Sequence, residues 1–188
     1  MLEYSHELAT WQGRSVLEGS IMAGYVNILK QTDIFYDLTP MHLELISATC
    51  EERNARAGEV IFEENSPGNE LYVIVRGEVE ILLDPSLVGG SSLRKGSGPV
   101  TIATLRDGQT FGEVALVDQG IRSASARCAT DNVRLLVISR QKLLTLCETY
   151  PELGYRVMRN MAADLAFKIR NSDLSMREQL LWRPRQAI

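Results

Sequence analysis

The spacing of apolar residues changes character along the chain, from helical at the start to strand-like in the middle and helical again at the end. Between residues 14 and 31, Val16, Leu17, Ile21, Met22, Tyr25, Ile28 and Leu29 recur at steps of three and four with no proline among them. That spacing gathers them on one helical face, although Gly13, Gly19 and Gly24 lower the propensity. Thr39-Pro40 is an N-cap and first-turn pair, and Met41, Leu43, Leu45, Ile46 and Ala48 carry a second, short helix to about Glu52. Apolar residues then come in brief runs, Val60 to Phe62, Leu71 to Val75, Val79 to Leu83, Val100 to Leu105 and Val133 to Ile138, separated by Gly, Asp and Ser. Short strands with tight turns predict a sandwich or jelly-roll barrel. The runs on either side of Gly77 predict a hairpin, and Gly58, Gly77 and Gly108 predict turns or bulges.

Helical spacing returns near the C-terminus. Ser139 opens a segment, Gln141 to Thr149, that Pro151 ends, and the chain after Pro151 is helical to about Leu181. In this last helix Met158, Ala162, Leu165, Ile169, Ser172 and Met176 alternate steps of four and three, a heptad-like seam of under three heptads. Such a seam docks on its own barrel or pairs with a second copy. The pattern divides the chain into an N-terminal helical extension (1–33), a β-barrel domain (34–150) and a C-terminal helix with a short tail (151–188).

The chemistry concentrates in Phe111-Gly112-Glu113-Val114-Ala115-Leu116 and the following Gly120-Ile121-Arg122-Ser123-Ala124-Ser125-Ala126. Glu113 and Arg122 stand nine residues apart among small and apolar residues whose backbone can approach a ligand closely. A guanidinium fork satisfies two phosphate oxygens, and backbone N–H groups at the start of a helical turn add donors. An ionised carboxylate only accepts hydrogen bonds, so Glu113 suits a sugar hydroxyl. Phosphate with ribose points to a nucleotide.

At these residues the chain resembles the cyclic nucleotide-binding domain family, whose phosphate-binding cassette reads roughly F-G-E-(L/I/V)-A-L, a variable stretch, then R-(S/A/T)-A. Further matches are Ala57 to Phe62, Glu70 to Ile81 and Leu105 to Thr110. The resemblance covers about residues 34 to 178. It implies a mainly β fold with flanking helices, a jelly-roll β-barrel of the cyclic nucleotide-binding type with N-terminal helices and a long C-terminal helix. It also implies cAMP or cGMP as ligand. Arg122, Ser123 and the Ala124 N–H would hold the phosphate, Glu113 and the Gly112 backbone would take the ribose 2′-hydroxyl, and Val114 belongs to the same cassette. The base would lie against Ile81, Ile102 and Leu105 under the last helix, at Lys168, Ile169 and Ser172. In one branch of the family a Thr-Ser pair touches adenine where this helix has Lys168-Ile169, so adenine recognition from the helix is not implied, although Ser172 lies one turn later. Ser123 leaves cAMP and cGMP both open. The resemblance further implies a homodimer through the last helix and a downstream protein partner.

Composition narrows the classes. At 188 residues, with 45% hydrophobic content and a net charge of −4, the chain is one globular domain with helical extensions and no general attraction to nucleic acid. Only about seven residues follow Leu181, so no DNA-reading domain is expected. No apolar run approaches the ~20 residues of a bilayer span. Met1 to Trp11 lack a signal pattern, so a cytoplasmic, non-membrane protein is expected. Cys50, Cys128 and Cys147 read as buried reduced thiols, and His6 and His42 are too few for a cupin-type metal site. No G-x-S-x-G elbow occurs and no histidine lies near Ser123 or Ser125, so no enzyme is expected. The Gly/Ser-rich stretch between Asp84 and Pro99 reads as a flexible insertion, and the basic residues of the last helix, including Arg156, Arg159, Lys168 and Arg170, as a solvated face.

Two functions fit: a cyclic-nucleotide sensor whose flanking helices move on binding, or a ligand-free dimerisation or docking module of the same fold. The presence of both Glu113 and Arg122 favours the sensor, because a guanidinium held in a barrel without its anion is costly.

Overall fold

The computed structural model describes residues 24–85, 98–118 and 120–181. Residues 24–30 are helical (α1). A 3-10 turn, Asp33–Phe35, leads to α2 (Pro40–Ser47). Eight strands follow: β1 (Cys50–Ala55), β2 (Val60–Phe62), β3 (Glu70–Arg76), β4 (Val79–Leu83), β5 (Val100–Leu105), β6 (Thr110–Phe111), β7 (Ser125–Cys128) and β8 (Val133–Ser139). A short helix, α3 (Glu113–Asp118), separates β6 from β7, and α4 (Arg140–Thr149) and α5 (Pro151–Leu181) close the chain. The strands make two antiparallel four-stranded sheets, ordered β1-β8-β3-β6 and β2-β7-β4-β5. This is the jelly-roll architecture expected, with its long C-terminal helix.

One sheet is covered on both faces. From β3, Tyr72 and Ile74 enter the core between the sheets with Ile61, Val79, Phe111, Ala126 and Leu135. The alternate residues Leu71 and Val73 face a second core built from the helices, with Leu29, Phe35, Leu43, Leu143, Leu153, Val157 and Met161. A strand buried on both sides has no polar face, which is why Leu71 to Val75 reads as a continuous apolar run rather than a strict alternation. Each fully buried leucine or valine here contributes about 1.5–3 kcal/mol.

The first half of α5 is bolted to the 3-10 turn. Leu153, Val157 and Met161 form its buried stripe. Beside them, buried Asn160 donates from Nδ2 to the carbonyls of Ile34 at 3.2 Å and Tyr36 at 2.7 Å. Arg156 bridges Asp37 at 2.7 Å and Glu152 at 2.9 Å.

Several expectations are corrected. The two runs around Gly77 are not a hairpin: β3 pairs with β6 and β8, while β4 pairs with β5 and β7 in the other sheet. Gly77 turns the corner between sheets at φ +98°, where a Cβ would stand 2.9 Å from Val133 Cγ2. Period-two patterning reports which face a residue occupies, not which strand it pairs with. The second helix stops at Ser47, not near Glu52, because Ser47 and Thr49 turn their hydroxyls back onto the carbonyls of Glu44 and Ile46 at 2.8 Å. Cys50 to Ala55 instead pairs residue for residue with β8, tertiary pairing overriding a polar sequence of low strand propensity. The helix expected over 14–31 is seen from residue 24, its earlier part, like the N-terminal residues 1–23 and most of the 84–99 insertion, lying outside the described residues. The cysteines are free, but only Cys128 is buried; Cys50 and Cys147 are half-buried. Arg156 and Lys168 do not belong to a solvated face, since both make ion pairs that fasten α5. Among the described residues no helix is long and apolar enough to cross a membrane, and no group of three or more His, Cys, Asp or Glu residues is placed to hold a metal ion.

Candidate functional site

The cassette occupies the passage from β6 through Gly112 into α3 and on to β7. Gly112 has φ +87°, a left-handed conformation that side chains resist. Close packing excludes a side chain as well: a Cβ there would lie 2.6 Å from Arg122 Nη1 and 2.9 Å from the Glu70 carbonyl. The glycine therefore lets the chain pass directly beneath the guanidinium and enter α3 at Glu113.

Arg122 is only 2% exposed. Its backbone is clipped to the loop before β3, the N–H donating to Ser66 O at 2.8 Å and the carbonyl accepting from Asn65 N at 2.8 Å. Its side chain donates from Nη1 to the carbonyls of Glu70 at 3.0 Å and Gly112 at 3.1 Å, and from Nη2 to Glu70 Oε2 at 3.1 Å. The guanidinium lies over the Phe62 ring at 4.1 Å, and Phe111 stacks on Tyr72 below it at 4.9 Å. A guanidinium has five N–H donors. Three are used, and Nε is buried without a partner. What the site offers is a desolvated cation with spare donors, aligned by aromatic rings and fixed carbonyls.

Glu113, 5% exposed, completes the pair from the first turn of α3. Its Oε1 accepts from Lys168 Nζ at 3.0 Å, and its Oε2 is buried with no partner. Lys168 also meets Asp164 Oδ2 at 2.8 Å and Thr110 O at 3.2 Å. Burial works to lower the lysine pKa, but the Glu113 and Asp164 carboxylates outweigh it and hold the ammonium above its ordinary value. The far end of α3 is secured by Arg140 Nε, which donates to the Leu116 carbonyl at 2.8 Å.

The fold thus brings Gly112, Glu113 and Arg122 together. Ala124 is buried and Val114 half-buried, whereas Ser123 is exposed. Of the residues expected around a base, Ile81 and Leu105 are half-buried against the core between the sheets. Ile102 falls at the register break between β4 and β5 and is 56% exposed. Ile169 is 62% exposed, and Ser172 is exposed. Lys168, expected at the base, sets its ammonium on the cassette carboxylate instead. Glu70, Phe62, Thr110 and Asp164 went unread as parts of this site. Only Asp164 had a local signal, an acid four residues before a lysine on one helix.

Comparison with known proteins gives this geometry a context. The family model for the cyclic nucleotide-binding domain matches residues 52–150, more than half of the chain. A relative called cyclic AMP receptor protein, from Thermus thermophilus, is 32% identical over 148 residues, covering 79% of this chain and 62% of its own. Human cGMP-dependent protein kinase 2 is 27% identical over 129 residues, 69% of this chain but 16% of the kinase. The chain thus spans less than two thirds of these relatives. Among solved structures, a cyclic nucleotide-binding domain from Methylobacillus flagellatus superposes with a TM-score of 0.70 at 23% identity, covering 89% of this chain and 88% of its own. With the family model spanning the cassette and the barrel that carries it, the chain belongs to the cyclic nucleotide-binding domain family.

Proposed function

We propose that this regulatory module binds a 3′,5′-cyclic nucleotide, cAMP or cGMP, in the cassette and passes its occupancy to the flanking helices. The observation that carries the reading is the pair of open, buried polar atoms of opposite character: the Arg122 guanidinium with Nε unpartnered and Glu113 with Oε2 unpartnered. Burying such atoms without partners costs about 1–3 kcal/mol each or more. A ligand carrying both an anion and a hydroxyl relieves both. In this reading Arg122 holds the phosphate with help from Ser123 and the Ala124 N–H, and Glu113 and the Gly112 backbone take the ribose 2′-hydroxyl. The base lies toward Ile81 and Leu105. Ile169 and Ser172, exposed on α5, reach it only if α5 closes over the barrel, which is the movement proposed.

A homodimer through α5 is part of the proposal. Tyr155, Phe167, Ile169 and Leu174 are all more than half exposed on this helix. Of the heptad-like seam, Met158 and Leu165 lean on the helical core, Ala162, Ile169 and Ser172 are open, and the Met176 side chain lies outside those described. Native mass spectrometry of nucleotide-stripped protein with cAMP and with cGMP reads bound ligand and oligomer together. One nucleotide per chain on a dimer supports the proposal; a dimer that binds neither nucleotide makes the chain a docking module of the same fold.

A further inference from the structure

Lys168 lies in the middle of α5, yet its ammonium joins three different parts of the molecule, hydrogen-bonded to two of them and ion-paired with the third. Asp164 Oδ2 at 2.8 Å belongs to its own helix, Thr110 O at 3.2 Å to β6, and Glu113 Oε1 at 3.0 Å to α3. The side chain is two thirds buried, over a small polar crevice lined by Asp33, Gly108, Gln109, Thr110 and Asp164. Lys168 thus ties α5 to the cassette about two turns beyond Met161, the last buried residue of the helix among those described.

From this three-way contact we infer that Lys168 is a positioning residue for the sugar edge of the ligand, linking the ribose 2′-hydroxyl to α5 through the two oxygens of Glu113. The inference rests on the nucleotide reading above. Glu113 is buried, and the cation paired with it among the described residues comes from α5 rather than from the barrel. Lys168 neutralises the carboxylate and fixes Oε1, so Oε2 is presented to a donor without competition. A hydroxyl on Oε2 does not displace the lysine; it restrains the same carboxylate from the other side. Restraint of Glu113 then strengthens the hold on Lys168, and the coupling is reciprocal: a docked α5 favours the hydroxyl as the hydroxyl favours docking. The linkage passes through the sugar, and it is available whatever base the nucleotide carries.

The test is a cycle of protein against ligand. Dissociation constants of cAMP and 2′-deoxy-cAMP are measured for the wild type and for Lys168→Met, which keeps an unbranched side chain one atom shorter and removes its charge. The wild type is expected to prefer cAMP by about tenfold or more, the worth of a hydrogen bond to a charged group. In Lys168→Met that preference shrinks by about fivefold or more, with equal weakening of the two ligands excluded. Hydrogen exchange of residues 160–172 without ligand gives a second readout: Lys168→Met and Glu113→Gln each speed it, and the double variant adds little. A folded Lys168→Met with an unchanged preference, or with unchanged exchange in α5, overturns this inference alone. A wild type that binds cGMP and not cAMP is put through the same cycle with cGMP and 2′-deoxy-cGMP; one that binds neither cAMP nor cGMP overturns the nucleotide reading and the ligand coupling with it.

Discussion

Gly112 and Arg122 define each other's positions: a Cβ on Gly112 would stand 2.6 Å from Arg122 Nη1, the atom that donates to the Gly112 carbonyl at 3.1 Å. The backbone that leads Glu113 into place is thus the surface on which the guanidinium rests. Gly112→Ala must relieve both the φ of +87° and this overlap. We expect a loss of about 1–3 kcal/mol in stability from the backbone strain, with ligand affinity falling at the same time. Urea unfolding checks the first and calorimetry the second; a variant of wild-type stability contradicts the packing described.

Arg122→Lys keeps the charge and loses the fork. It also leaves the Glu70 and Gly112 carbonyls with fewer donors. Binding of the preferred nucleotide is expected to weaken by about 1.5–3 kcal/mol. Wild-type affinity in this variant would mean that Arg122 is not the phosphate ligand.

The site's main parts were legible in the sequence because they are local: Glu113 and Arg122 sit within one short cassette, and Gly112 precedes the carboxylate. What completes them was not local. Glu70 is 52 residues from Arg122, and Lys168 is 55 from Glu113. A lysine on a charged helix looks like any solvated cation until the fold decides which face docks. The strands were legible as strands, but their partners were not, and β1 carries so polar a sequence that only its six pairs with β8 identify it.

Alkaline pH tests the α5 tie. The folded-state pKa of Lys168 is raised above the ordinary 10.5 by Glu113 and Asp164 against the opposing effect of burial, with Asp33 the other carboxylate lining the crevice. A group whose pKa is raised on folding contributes its stability below the unfolded value and loses it as pH climbs through the folded one. Stability should therefore hold up to about pH 10.5 on this account and fall above it. In Lys168→Met this part of the fall disappears. Superimposable alkaline profiles of the two proteins would remove Lys168 as a contributor.

For the dimer, Leu165→Glu with Ile169→Glu is expected to give a folded monomer, since Ile169 is 62% exposed and Leu165 only partly packed on the helical core. Sedimentation velocity distinguishes the outcomes. A wild-type protein that is monomeric at high micromolar concentration, with and without nucleotide, rejects α5 as an interface.

Titration calorimetry of nucleotide-stripped wild-type protein with cAMP and with cGMP tests the central claim most directly, because it asks whether the open Arg122 and Glu113 atoms are a ligand site. The account predicts saturable binding of at least one of them in the micromolar range or tighter, about 8 kcal/mol or more of binding free energy. No heat with either nucleotide over a range of temperatures, together with no shift of the unfolding transition, would contradict it.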